Sequence, residues 1–407
     1  MSKFRNLSPV EYSYLARDTG NESPFVNQFF VEGKGDISIE QMQGAVALAA
    51  QKNPGISLRL KGRWAWRYWE KNETPPLVLE YRGVWQANHS SGAEVIDAPL
   101  DARKDVLSSI TLFKNITAVD NSNVNFKILF RIHHAVCDGM GTLHWIKEVF
   151  RALRNEPLLG SQHQLSELDI IRREDYPKVE ALAFQCNPVF PKSLHPEKTG
   201  CHWLRCHWEI SDSKIIAKLI FSLKEICVEQ HGAGKMVFRI PADLRRYLNK
   251  EEKQQAHLSN LSGVFDIQLD ADDDVNEIQN RIIKALRNKQ DLSVYPKHFI
   301  SLTKFLPKTL FRPKVQAVKA MLEKGHCNIT AMISAMMRQN LDEFSCASFN
   351  AYSVFAIPMP LEDKSIYIGL ITNRNGLNLI LSIPNALADE QQSLALAKRI
   401  ENRLKNL

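Results

Sequence analysis

Two adjacent histidines, His133 and His134, are followed at fixed offsets by Asp138 and Gly139. An imidazole is the side chain whose ordinary pKa lies closest to working pH, so it suits a general base. A carboxylate four residues on, in a turn, can pair with a cation elsewhere and fix the loop. A glycine there suits a positive φ or a close approach of substrate. A lone buried histidine is more often a packing residue than a catalyst. The combined pattern, however, arises from average residue usage in well under roughly one in a hundred chains of this length. Cys137 lies inside it. Nothing in the neighbouring sequence signals the depressed pKa that a nucleophilic thiol needs, so it reads as structural.

These residues need a strand to deliver them and a helix to back them. Residues 123–132 alternate, with Val124, Phe126, Ile128, Phe130 and Ile132 on one side and Asn125, Lys127 and Arg131 on the other. That period predicts a strand with a buried even face. By parity His134 continues the buried side and His133 falls opposite. Residues 141–155 predict the following helix. Elsewhere the patterns predict helices over 39–51 and 212–230, one opening at Asp272-Asp273-Asp274 and one over 389–404. They predict strands over 57–68, 201–210, 236–240, 264–269 and 352–357, and a hairpin at Asn375-Gly376. The stretch 158–200 is weakly periodic and carries Pro177, Pro188, Pro191 and Pro196, as a crossover does. The expected organisation is an α+β chain with an N-terminal lobe over 1–175, a linker over 176–200 and a C-terminal lobe over 201–407. It lacks the regular alternation of a doubly wound sheet.

The chain has 407 residues, 44% hydrophobic and 24% charged, with a formal net charge of +7. This is an ordinary globular composition, long enough to bury a large core without staples. The mild positive charge does not cluster as in a nucleic-acid binder, and it fits anionic partners. The seven cysteines have no framework spacing and read as reduced thiols in a cytosolic protein. No leader-like apolar region occurs in 1–14, and no run reaches the roughly 18 apolar residues of a membrane span.

The stretch His133 to Gly139 resembles the His-His-x-x-x-Asp-Gly signature of thioester-dependent acyltransferases, which include chloramphenicol acetyltransferases, alcohol acetyltransferases and nonribosomal peptide synthetase condensation domains. The length is similar to the two-lobed members, in which two chloramphenicol acetyltransferase-like folds share one polypeptide and the site lies in a tunnel between them. Leu7-Ser8-Pro9-Val10-Glu11 looks like the opening segment of that family. The segment Asn53 to Arg59 resembles its His-Pro-x-Leu-Arg-x-Arg stretch, which makes Arg59 the candidate ion-pair partner of Asp138. Ile240-Pro241-Ala242-Asp243-Leu244-Arg245 with Asn260 is similar to a stretch of alcohol acetyltransferases and brings Arg245 and Asn260 toward the site. Ser334 sits where many members carry a Ser-Asn-Leu-Gly loop.

The resemblance implies direct acyl transfer from acyl-coenzyme A, or from an acyl-phosphopantetheine carrier protein, to a small-molecule hydroxyl or amine. His134 would be the base, Gly139 N–H and the Ser334 hydroxyl the oxyanion donors, Asp138 the loop's anchor and His133 a packing member of the motif. It implies a free-standing monomer with no permanently bound cofactor and no nucleic-acid partner. The alternative is a stand-alone condensation enzyme joining carrier-bound substrates as an amide or ester.

Two further segments have chemical readings. Residues 201–208 hold Cys201, His202, Cys206 and His207, but on a strand these split between two faces, so no metal site is expected. Residues 297–324 hold seven Lys or Arg against Glu323. The leading reading is a solvated helical face. The others are a peripheral membrane contact, a dock for an acidic carrier, or a grip on coenzyme A phosphates.

Overall fold

The computed structural model describes residues 3–17, 25–63, 66–81, 85, 88–90, 94–98, 100–101, 107–114, 124–162, 164–177, 186–190, 195, 197–210, 212–293, 327–336, 338–359 and 366–407. The basic segment 297–324 lies outside them. The first half contains β1 (Lys3–Asn6), α1 (Pro9–Arg17), β2 (Val26–Gly35), α2 (Ile39–Lys52), β3 (Leu58–Lys61), β4 (Tyr68–Lys71), β5 (Leu77–Tyr81), α3 (Glu94–Asp97), β6 (Ser108–Phe113), β7 (Phe126–His133), α4 (Gly139–Leu153) and α5 (Glu167–Ile171). The second contains β8 (Cys201–Trp208), α6 (Ile215–His231), β9 (Met236–Asp243), α7 (Lys250–Gln255), β10 (Ser262–Leu269), α8 (Val275–Arg287), β11 (Ala331–Met336), β12 (Phe349–Ile357), β13 (Tyr367–Asn373), β14 (Gly376–Pro384) and α9 (Glu390–Lys405). Helix starts follow the sequence signals: Ser38 with Gln41, Asp274 with Glu277 and Asp389 with Gln392 form reciprocal capping boxes.

The class is mixed α and β, as expected. A five-stranded sheet has the order β12-β2-β7-β6-β5 and a six-stranded sheet the order β10-β9-β11-β13-β14-β8, while β1, β4 and β3 form a small third sheet. The expected cut at 176–200 does not separate the two large sheets. β12, from the far end of the chain, pairs antiparallel along β2 and completes the first sheet. The expected strand over 57–68 is instead the hairpin of β3 and β4, which breaks near Gly62 at φ 78°. The β13–β14 hairpin pairs Asn373 with Gly376, so its two-residue loop is Arg374-Asn375 rather than Asn375-Gly376.

β7 also departs from the sequence reading. Its even residues pack, as expected, into the core beneath α2 and α4. Its odd residues do not reach solvent, because every residue of the strand is buried. A second apolar layer, including Phe30, Leu129, Phe355, Trp203 and Ile380, joins strands of both large sheets. The cations on that side are held rather than hydrated. Lys127 lies 3.3 Å from Glu32, and Arg205 of β8 reaches Glu32 and stacks 3.8 Å over Phe355. Burial alone would raise the Glu32 carboxyl, but Arg205 and Lys127 outweigh it and bring its pKa down to about 2. Arg131 donates to Ile96 O at 2.8 Å and to Gln28 Oε1 at 3.2 Å. No helix among the described residues is long and apolar enough to cross a membrane.

Candidate active site

β7 ends at His133, and the chain turns sharply there. Val136 N–H donates to His133 O at 2.9 Å, and Ala135 N–H donates to His133 Nδ1 at 3.1 Å. His133 thus shapes the turn. His134 follows it, tied to the neighbouring strand by its N–H to Phe25 O at 2.9 Å. Its ring lies over Tyr14 of α1 at 4.3 Å between centroids and 5.7 Å from Phe25. It is only 7% exposed. Burial lowers its pKa to about 4 against a smaller opposing effect, a hydrogen bond of the ring to its own backbone carbonyl. Asn260 Nδ2 donates to the same carbonyl oxygen at 2.6 Å. It also lies 3.4 Å from His134 Nδ1. Asn260 thus fixes the turn that carries the ring, and burial favours the neutral imidazole.

Asp138 caps α4, accepting from Gly141 N–H at 2.8 Å. Its expected partner Arg59 is not the one it has. Arg59 sits on β3 in the small sheet, opposite Glu70. Asp138 instead takes a two-pronged contact from Arg245, Nη1 to Oδ2 at 3.0 Å and Nη2 to Oδ1 at 3.1 Å. Leu261 N–H completes its shell at 2.7 Å. Arg245 also donates to Ala256 O, His257 O and Ser259 O, and to Asp243. Burial disfavours its charge, but Asp138 and Asp243 more than offset that and push its pKa above the ordinary arginine value. The pair is the buried, bidentate kind in which guanidinium geometry matters. It fastens the motif loop to β9 and to the segment 256–261, which carries Asn260.

Gly139 has no positive φ. It opens α4 facing a cavity, where an added Cβ would lie 3.0 Å from Met336 Sδ and 3.7 Å from Phe29 Cζ. Close approach, not backbone freedom, is what the glycine supplies. The cavity is about 100 Å³ and lies between the large sheets, with His134, Gly139, Asn27, Ser334 and Tyr367 on its walls. Ser334 stands on β11 and not in a loop, and it shares a side-chain hydrogen bond with the buried Tyr367. Asn27 reaches the cavity from β2 while its Nδ2 holds Cys137 O at 2.7 Å.

The structure therefore brings together His134, Asp138, Gly139, Arg245, Asn260 and Ser334, and leaves Arg59 apart. Sequence reasoning missed Tyr14, Asn27 and Tyr367. The first lies one turn past the family-like opening segment, and the other two carry no local signal. The thiol of Cys137 is raised to about 12, chiefly by burial, and lies 3.4 Å from Thr142 Oγ1. At that pKa it stays protonated and un-nucleophilic. His202 is held by Asn385 and Ser393 at 2.8 and 2.7 Å. Among the described residues no three His, Cys, Asp or Glu side chains converge as metal ligands would.

No protein-family model and no curated protein matches the chain. Solved structures do. The starter condensation domain of rhizomide synthetase RzmA aligns with TM-score 0.59 at 12% identity, over 99% of this chain and 96% of that one. The condensation domain from Monacolin K polyketide synthase MokA aligns with TM-score 0.65 at 10% identity, over 98% and 96%. The X-domain from teicoplanin biosynthesis aligns with TM-score 0.59 at 11% identity, over 100% and 95%. A mutant of the RzmA domain is in complex with C8-CoA and Leu-SNAC. The chain has the two-lobed fold of condensation domains.

Proposed function

We propose that this protein is an acyltransferase, moving an acyl group from a coenzyme A or carrier thioester to a hydroxyl or amine, with His134 as general base. The observation that carries the reading is the His134 ring. It is buried, which favours the neutral form, and it lies on a cavity between two sheets. Nε2 takes the proton of the acceptor O–H or N–H as that atom attacks the thioester carbonyl. The tetrahedral oxyanion draws on Gly139 N–H and the Ser334 hydroxyl. As the intermediate collapses, the C–S bond breaks and the imidazolium returns its proton to the leaving thiolate. Holding donor and acceptor in one cavity supplies the proximity. Asp138 and Arg245 fix the loop.

A second reading is favoured by the fold of the solved relatives. It is an amide- or ester-forming condensation between carrier-bound substrates, on the same base. The test is to incubate the protein with acyl-coenzyme A and a panel of alcohols and amines, and separately with acyl-loaded carrier and aminoacyl-loaded carrier, following free thiol and product mass. Turnover lost in His134→Ala supports transfer, and the arm that turns over separates the two readings. Release of thiol unaffected by His134→Ala removes His134 as base.

A further inference from the structure

The six-stranded sheet is open beside the His134 cavity. β9 and β11 run parallel but pair only at Phe238–Ala331 and Arg239–Met332. Yet β9 continues to Asp243 and β11 to Met336. Successive residues of a strand aim their N–H and C=O at opposite neighbours. Val237 accepts from Thr330 N–H at 2.7 Å and donates to Thr330 Oγ1 at 3.0 Å, so the odd residues of β9 face β11. Pro241 is the odd residue after Arg239, and it has no N–H to give. The ladder stops there. On their outer edges β9 stays paired with β10 through Asp243, and β11 with β13 through Met336. The gap is therefore framed by intact ladders.

Both sides of the gap are hollow. One side is the His134 cavity. The other, on the helix-covered face, is a cavity of about 620 Å³, a size within the roughly 300–1,000 Å³ of small-molecule sites. Pro241 lines both. β11 turns Ser334 and Met336 to the first and Ala335 to the second, and Gly139 and Met140 divide in the same way. The walls of the larger cavity are apolar, with Ile216 of α6, Phe265 of β10, and Ile282 and Leu286 of α8. Its charged lining comes from 243–257. There Arg245 is shared between Asp243 and Asp138, and Arg246 is paired with Asp291 at 2.9 Å, which leaves the exposed Lys253 at the rim.

We infer that an aliphatic acyl chain passes through the gap between β9 and β11 and lies in the larger cavity, while its thioester carbonyl stays at His134. This rests on the acyl-transfer reading above and names its donor class as medium- or long-chain acyl thioesters. An apolar wall suits methylenes. Along that wall the two amides of a pantetheine arm would be left without partners.

The experiment compares wild type with Ala335→Leu, which narrows the gap, and Leu286→Trp, which fills the far cavity, after thermal melts confirm that both fold. Two quantities are read: the ratio of kcat/KM for decanoyl-coenzyme A to that for acetyl-coenzyme A, and equilibrium binding of a dansyl-labelled undecanoate. The expected result is a decanoyl preference in wild type that falls by about tenfold or more in each variant. Probe binding in wild type should be competed by decanoate and weaken in parallel. A ratio and a probe affinity unchanged in both folded variants overturn the inference. An equal loss of both substrates assigns the cavity to the pantetheine arm and also overturns it. Probe binding that Leu286→Trp weakens, in a protein that transfers neither acyl group, sustains the aliphatic-chain cavity and removes the transfer reading instead.

Discussion

Arg245 and Asp138 meet through two parallel hydrogen bonds of 3.0 and 3.1 Å, across 107 residues of sequence. This contact locks the motif loop onto the second sheet. Both side chains are nearly inaccessible, and removing Arg245 leaves the buried Asp138 without a cation, whereas removing Asp138 leaves Arg245 with Asp243. Arg245→Ala is expected to cost about 3–5 kcal/mol of stability, and Asp138→Asn less. The double variant should cost less than the sum, because neither charge is then stranded. Urea denaturation of the four proteins measures this coupling. Additive losses would show that the pair does not act as a unit.

Arg245→Lys isolates geometry from charge. A lysine keeps the positive charge but cannot span both carboxylate oxygens and the carbonyls of Ala256, His257 and Ser259 at once. Turnover should fall well beyond any loss of fold. The checks are kcat alongside the melting curve. Wild-type kcat in Arg245→Lys would place loop positioning elsewhere.

The residues of the motif were legible in the sequence because a strand-to-helix turn with two histidines, Asp and Gly is locally distinctive. The partner of Asp138 was not. An ion pair is set by which sheet edge faces the loop, and β3 with Arg59 lies in the small sheet while the end of β9 lies under the motif. β2 was invisible for a related reason. Its polar Asn27, Gln28 and Glu32 break up the apolar pattern, yet they are buried between β7, β12 and the second sheet, where Asn27 donates to Cys137 O, Arg131 donates to Gln28 and Arg205 pairs with Glu32. Ser334 was placed in a loop by the family resemblance alone, and no local signal corrected it, because β11 is short and its pairing with β13 is parallel.

The pH dependence follows from the His134 environment. Its pKa in the fold is about 4, below the ordinary imidazole value of 6.5. The acid limb of kcat/KM, which reports the free enzyme, should therefore have its midpoint well below the usual histidine range. Stability has the same sign. The unfolded chain binds this proton more readily, so the contribution of His134 is fully present above about pH 6.5 and is lost as pH falls toward about 4. Denaturant midpoints of wild type and His134→Gln should converge over that window. A constant difference across it would show that burial does not depress this imidazole.

Cys137 is expected to be dispensable for chemistry. Its thiol is protonated at working pH and faces Thr142 and the core. Cys137→Ala should keep kcat/KM within the same order of magnitude, and iodoacetamide should not inactivate the native protein. Rapid inactivation, prevented by thioester substrate, would instead make Cys137 a nucleophile.

Gly139 allows packing and chemistry to be separated. At the first turn of α4, with no positive φ, alanine costs the backbone nothing and favours the helix by up to about 1 kcal/mol. The only close obstacle to its Cβ is the flexible end of Met336, 3.0 Å away in the cavity. Gly139→Ala should therefore fold as well as wild type or better, yet lose kcat/KM because the methyl group and the displaced Met336 enter the space at His134. Met336→Ala in the same chain should return part of that loss by vacating the contested volume. Kinetics of the two single variants and the double variant, read beside their melting temperatures, decide it. Unchanged turnover in Gly139→Ala would mean that substrate does not approach this face of the cavity, and the donor set for the oxyanion would then have to exclude Gly139 N–H.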